Sequence, residues 1–216
     1  REFVESLTLI KEAKKQNVAL LIYGDILAAT THLSLMLEAK KQKVKTELVH
    51  ANSIFTVISD LGLELYKFGK TTSIPAWQGN YKPTSFVDVV KDNLKINAHT
   101  LLLIDKELTV TEALNELIEV IRVEVDKKNL SVNDVNNSLI IIASQLGTPA
   151  QKIVKVKLGE LTPILRNKSK MLSRIKVKSI NELNSFKEPF CFVIPAPASS
   201  LHFLEQKSLE NIKKLK

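Results

Sequence analysis

Apolar positions along this chain fall into two alternating rhythms. Apolar runs of strand length occupy residues 18–23, 101–104, 139–143 and 190–194, the second and third led in by His99-Thr100 and Ser138, with a shorter strand-like piece at 153–156. Such runs form strands buried on both faces. Between them apolar residues return every three or four positions, the spacing of a helix with one buried face. This predicts helices over about 2–15, 30–42 and 84–93. Thr109 and Glu112 have capping-box spacing, and Val110, Ala113, Leu114, Leu117, Ile118 and Ile121 form the core face of the helix that follows. A last helix runs from about Leu201 to the end, where Lys213, Lys214 and Lys216 suit a helix C-terminus. Residues 45–50 read as a further strand, and Asn52 or Ser53 can cap a helix that Gly62 ends. Residues 63–73 read as extended, 74–85 as an aromatic-bearing loop with Trp77 and Tyr81, and 126–137 as a polar loop or short helix. Strands alternating with helices predict βαβ units and a mainly parallel sheet.

One junction carries more chemistry than the rest. The run 18–23 ends in Gly24-Asp25, and the next helix follows within a few residues. Strand, turn, helix places a carboxylate and backbone amides at the carboxyl end of a sheet, where open α/β folds bind ligands. Ser53 and Asp105 stand at comparable strand ends. Gly-Asp is also a common structural turn, and a strand-end acid such as Asp105 often does no more than cap its neighbouring loop.

Composition narrows the function classes. The 216 residues carry 31 Lys and Arg against 23 Asp and Glu, a formal charge of +8. The lysines are spread over many helix faces with no Arg-rich, aromatic-interleaved stripe, which speaks against nucleic acid as the partner. A single cysteine, Cys191, excludes an intrachain disulfide framework and a cysteine-based zinc site, and its apolar surroundings in sequence predict a buried, inert thiol. The four histidines are far apart, so no metal site is expected. Glycine-rich dinucleotide and phosphate loops and a G-x-S-x-G elbow are missing from the sequence. No apolar run reaches the length of a membrane span and no signal peptide is visible, so a cytoplasmic protein is expected.

Five blocks together go further. They are Gly24-Asp25-Ile26-Leu27-Ala28-Ala29-Thr30-Thr31-His32; His50-Ala51-Asn52-Ser53-Ile54; Gly62-Leu63-Glu64-Leu65-Tyr66-Lys67-Phe68-Gly69-Lys70; Asn80-Tyr81-Lys82-Pro83-Thr84-Ser85-Phe86; and His99-Thr100-Leu101-Leu102-Leu103-Ile104-Asp105. Leu146-Gly147-Thr148 with Gln151, and Leu201-His202-Phe203-Leu204-Glu205, follow in the same order. In this combination the chain resembles the diphthine synthase family of the tetrapyrrole methylase superfamily, along nearly its whole length.

The resemblance implies an α/β fold of two domains: the remainder of an N-terminal parallel α/β domain over residues 1–51 and a C-terminal mixed-sheet α/β domain over 52–216. It implies a homodimeric methyltransferase that uses S-adenosylmethionine. The substrate would be the modified histidine of translation elongation factor 2, methylated on its amino group in diphthamide biosynthesis. Carried over position by position, it places Asp25, Ala28, Ser53, Ile54, Ile104, Leu146 and Phe190 around the cofactor, with Phe190 near the adenine where the family often has His. Asp105 and Tyr66 are candidates, by position alone, to accept a proton from the substrate amine.

Three departures from the family pattern stand out. Ile26 replaces the Pro that normally follows Gly-Asp, which frees the backbone φ there. Ala143-Ser144-Gln145 replaces an Ala-Arg and removes a cation. The chain opens inside an amphipathic helix, and the pattern leads one to expect about 60 further residues, two βα units with a glycine-rich turn, ahead of it. Two alternatives follow: a non-catalytic remnant that dimerises or binds the elongation factor, or a superfamily methyltransferase acting on a tetrapyrrole or ribosomal RNA.

Overall fold

The computed structural model describes residues 2–127, 130–161 and 181–215. Lys128 and Asn129 of the expected polar loop and Lys216 of the expected helix end lie outside the described residues. The chain divides into two compact units, Arg1–Val57 and Ile58–Lys216, with the boundary a short way beyond Ala51.

The first unit holds helices α1 (Glu2–Ala13), α2 (Leu33–Lys41) and α3 (Ile54–Val57). Ile10 and Ala39 are buried. The runs at 18–23 and 45–50, expected to be strands, are not strands. A parallel strand exists only through a hydrogen-bonded neighbour, and among the described residues neither run is paired in a ladder. Leu21 and Val49 are accordingly 92% and 82% exposed. The two runs nevertheless converge at their carboxyl ends, where a Cβ added to Gly24 would lie 3.7 Å from the Asn52 carbonyl oxygen.

The second unit is built on a five-stranded mixed sheet. Its strands are β1 (Thr72–Ile74), β2 (Thr100–Ile104), β3 (Leu139–Ser144), β4 (Lys152–Lys157) and β5 (Phe190–Ile194), in the spatial order β1-β2-β5-β3-β4. Only β1 and β2 run parallel; the other neighbours are antiparallel, so the mainly parallel sheet expected from the alternation is not what forms. Helices α4 (Ser85–Lys95) and α5 (Val110–Asp126) cover one face, on which Leu102, Ile140, Ile142, Val154, Phe192 and Ile194 are buried. The alternate residues Leu101, Ile141, Cys191 and Val193 are buried on the opposite face. Their unbroken apolar runs reflect this two-sided burial.

Local signals held where sequence set them. The Thr109–Glu112 capping box forms, with Glu112 N–H donating to Thr109 Oγ1 at 3.2 Å and Thr109 N–H to Glu112 Oε2 at 2.8 Å. Gly62 takes φ +69° beyond a 3-10 turn at Ile58–Leu61, as its helix-ending role requires. The polar stretch contains the short helix α6 (Val132–Asn137).

The chain end differs from expectation. Helix α7 (Phe203–Asn211) stops early, and residues 213–215 pair instead with the open edge of β4: Lys155 N–H donates to Lys213 O and Leu215 N–H to Lys155 O, both at 2.9 Å. Lys155 then places its ammonium on the Leu209 and Glu210 carbonyls at the end of α7. That contact satisfies orphan carbonyls the predicted longer helix would have used itself.

The loop after β1 is anchored to α5. Trp77 N–H donates to Glu116 Oε1 at 3.2 Å and the indole N–H to Pro83 O at 3.3 Å, while Lys82 lies 4.7 Å from the Trp77 ring centroid. Glu116 is 9% exposed, and its Oε2 has no hydrogen-bond partner among the described residues. Burial pushes this carboxyl above its ordinary value of 4.5. An acid whose folded pKa is raised is fully tolerated below the unfolded value and costs stability as pH climbs through the folded one. Glu116→Gln keeps the acceptor for Trp77 and removes the ionisation. It should remove the part of the pH dependence above pH 4.5 that this carboxyl contributes, read as a higher urea midpoint for the variant at neutral pH.

Candidate functional site

Two of the proposed cofactor turns lie in the first unit, held by one carboxylate. Asp25 Oδ1 accepts the Leu27 N–H at 2.9 Å, and Oδ2 accepts His50 Nδ1–H at 2.8 Å and the Ala51 N–H at 3.2 Å. The Leu27 amide and then His50 hold the Asp25 carboxyl below the usual carboxylate range, so it is ionised at neutral pH. The Ala28 N–H closes the same turn onto the Asp25 carbonyl at 3.2 Å, and Ala29 takes φ +54°. In the second turn Ser53 heads α3: its Oγ accepts the Phe55 N–H at 3.2 Å, and its carbonyl accepts from Thr56 and Val57. Ile54 opens the helix, half-buried.

Three more residues gather in the second unit at one end of the sheet. Ile104 ends β2, Phe190 opens the neighbouring β5, and Leu146 follows the end of β3 on the other side of β5. The register fixes this: Leu103 is opposite Cys191, and Phe190 is opposite Ser144. The turn carrying Leu146 is tied down by Gln145 N–H to Pro189 O at 2.8 Å and by Gly147 N–H to Gln151 Oε1 at 3.1 Å. Gln145 and Gly147 take φ +51° and +75° around it. Ile104, Leu146 and Phe190 are all half-buried, so each keeps surface for a ligand. Phe190 also lines a cavity of about 390 Å³ with Leu108, Val110, Leu183 and Phe186, within the size range of small-molecule sites.

Asp105 stands at the same end. Its Oδ1 accepts the Glu107 N–H at 3.1 Å and its own N–H donates to Ile74 O at 3.0 Å. The side chain therefore shapes its own turn, the bland role that its position allowed. Tyr66 is placed elsewhere. Phe68 bridges His99 at the entry of β2, and Tyr66 sits just before it, about 17 Å of strand away from Ile104. It is 82% exposed, and a hydrogen bond to Glu64 pushes its phenol pKa up, so it keeps its proton at neutral pH.

A polar cluster that the sequence gave no sign of lies at that other end of the sheet. Glu205, fully buried, accepts from His99 Nε2 at 2.8 Å and Glu64 N at 3.1 Å on one oxygen. The other oxygen accepts from His202 N at 2.8 Å and Lys67 Nζ at 2.5 Å. Burial alone would raise the Glu205 carboxyl, but Lys67, the two backbone amides and His99 outweigh it and hold the value at about 2. His99 Nδ1 accepts the Ala196 N–H at 2.9 Å, so its proton must sit on Nε2 and the ring is neutral. Cys191 is buried, and desolvation pushes its thiol up to about 12, so it stays protonated. Among the described residues no group of His, Cys, Asp and Glu could hold a metal, and no helix is long and apolar enough to cross a membrane.

The tetrapyrrole (corrin/porphyrin) methylase family matches residues 1–162, and the chain belongs to that family. Diphthine synthases are among the proteins it is similar to. That of Methanococcus aeolicus is 38% identical over 165 residues, and the alignment covers 74% of this chain but only 64% of that protein's length. That of Methanococcus maripaludis is 35% identical over 219 residues, covering 97% of this chain and 75% of its own. A crystal structure of a diphthine synthase superposes with a TM-score of 0.70 at 28% identity, over 97% of this chain and 71% of the other.

Proposed function

We propose that the chain serves as a diphthine synthase, moving a methyl group from S-adenosylmethionine to the amino nitrogen of the modified histidine in translation elongation factor 2. The observation that carries this reading is the gathering of Ile104, Leu146 and Phe190 at one sheet end, in a chain that aligns with diphthine synthases over nearly all of its length. In keeping with that family the protein would act as a cytoplasmic homodimer.

The residues suit the cofactor's chemistry. Ile104 and Leu146 offer apolar surface, and the Phe190 ring can lie against a purine. Ser53 Oγ accepts one backbone N–H and can still donate its own hydrogen, while Asp25 Oδ1 has a lone pair left for a hydroxyl or ammonium. S-adenosylmethionine, when bound, would supply a methyl group on a cationic sulfur. The side chains then have to exclude water and align the incoming amine lone pair. The amine must shed a proton, and Asp105, besides its turn-capping bond to Glu107, would be a candidate by position to take it.

Calorimetry on the chain and on Asp25→Ala tests this reading. Micromolar binding of S-adenosylmethionine, weakened about tenfold or more in the variant, is expected from losing hydrogen bonds to a charged group. Methyl transfer to elongation factor 2 bearing the aminocarboxypropyl histidine then follows. A folded chain that binds no S-adenosylmethionine would overturn the reading.

A further inference from the structure

The two turns of the first unit are joined by a side chain rather than by a sheet. The bonds described between them run from the Asp25 carboxylate to the His50 ring and the Ala51 amide. Asp25 belongs to the turn that carries Ala28, and His50 leads directly into the turn that carries Ser53 and Ile54. The Asp25 side chain is 12% exposed against 68% for His50, so the ring lies outside as a clamp over an enclosed carboxylate. An ionised carboxylate only accepts, so the 2.8 Å contact requires the proton on His50 Nδ1.

We propose that His50 is a positioning residue of the cofactor site: its Nδ1–H holds Asp25 Oδ2 and so fixes the 24–28 turn against the 51–54 turn. The proposal rests on the reading that these turns bind S-adenosylmethionine. His50 need not touch the cofactor. By occupying Oδ2 together with the Ala51 amide, it turns Oδ1 toward the Leu27 amide and leaves one acceptor site there, which sets where a ligand donor can bind. Losing the ring leaves Oδ2 with the longer Ala51 bond alone, and the distance between the two turns is then free to drift.

The shape of the donor makes this testable. An asparagine amide nitrogen can occupy the place of Nδ1, whereas glutamine places its amide one carbon further out. Two measurements on the full chain decide the matter. The first is hydrogen exchange at the Leu27 and Ala51 amides without any cofactor, expected to quicken in His50→Ala and in His50→Gln but not in His50→Asn. The second is calorimetric binding of S-adenosylmethionine, expected to weaken about tenfold in His50→Ala and to recover in His50→Asn. His50→Ala added to Asp25→Ala should cost nothing further, because the two act through one bond.

Wild-type binding with unchanged affinity in His50→Ala would overturn the proposal and leave the cofactor reading intact. Full additivity of the two alanine variants would also overturn it. A folded wild-type chain without S-adenosylmethionine binding overturns the cofactor reading instead, and the role of His50 in that site falls with it.

Discussion

Replacing Glu205 with Gln should lower the unfolding free energy by about 3–5 kcal/mol, the range for removing one partner of a buried charge pair. The four groups around this carboxylate are all donors: His99 Nε2–H, Lys67 Nζ and the amides of Glu64 and His202. A glutamine amide would point its own N–H₂ at two of them and leave the partly buried Lys67 ammonium with only Glu64 Oε2, 3.9 Å away, as a counter-charge. The effect should also carry a pH signature. Glu205 is held at about 2, below its ordinary 4.5, so its contribution is complete above 4.5 and is lost as pH falls toward 2. Burial pushes His99 below its ordinary 6.5, so folding is penalised once pH drops under 6.5, and protonation would also expel the Ala196 N–H from Nδ1. Both groups therefore make the protein acid-labile. Urea denaturation from pH 2.5 to 8 should show the contribution of these two groups rising with pH, and the part of that rise lying below pH 4.5 should be missing in Glu205→Gln. An unchanged midpoint in the variant at pH 7 would refute the assignment.

The second large effect is expected at Gly69, although its φ is unexceptional. A Cβ there would lie 2.2 Å from Asn93 Oδ1 and 2.5 Å from its Cγ. Asn93 is 2% exposed and cannot simply swing into water. Its Oδ1 accepts the Lys70 N–H at 3.0 Å, and its Nδ2 donates to Lys70 O at 2.8 Å and Thr100 Oγ1 at 3.0 Å. One side chain thus ties the last turns of α4 to the segment before β1 and to the first residue of β2. Gly69→Ala combines overpacking with the loss of these bonds, and a cost of about 2–5 kcal/mol is expected. A double-mutant cycle isolates the cause. Once Asn93→Ala has made room, Gly69→Ala should add little, whereas additive losses would point to the backbone at position 69 instead.

What the sequence disclosed follows from the range of the interactions involved. The α5 capping box and the stop at Gly62 depend on residues three or four apart and were legible. So were β2, β3 and β5, because burial on both faces leaves an unbroken apolar run. The same logic failed at 18–23, and strand reading failed at the more polar 45–50, where neither segment has a ladder partner among the described residues: an apolar run describes what a strand needs, not whether a neighbour supplies it. The end of the chain misled for a related reason, since Lys213 and Lys214 fit a helix terminus as well as an edge strand, and only the open side of β4 decides between them. At the candidate site the resemblance brought Ile104, Leu146 and Phe190 to one place although 86 residues separate the first from the last, 190 minus 104. Periodicity has no means of finding such a set. The same blindness hides the pairings of His99 with Glu205 and of His50 with Asp25, which join residues 106 and 25 positions apart.

The position of β5 has a consequence for how the protein comes into being. The strand that arrives last in the sequence sits in the middle of the sheet, between β2 and β3. During synthesis β2 and the β3–β4 pair leave the ribosome with no ladder to join them, their unpaired edges open to wrong partners. A chain halted before Phe190 would hold β1–β2 and β3–β4 as two separate fragments of sheet, each with an unpaired edge where β5 belongs. Closure of this sheet is expected to be a late, non-local step, and the cavity of about 390 Å³ would form with it, because Phe190 is both the first residue of that strand and part of the cavity lining.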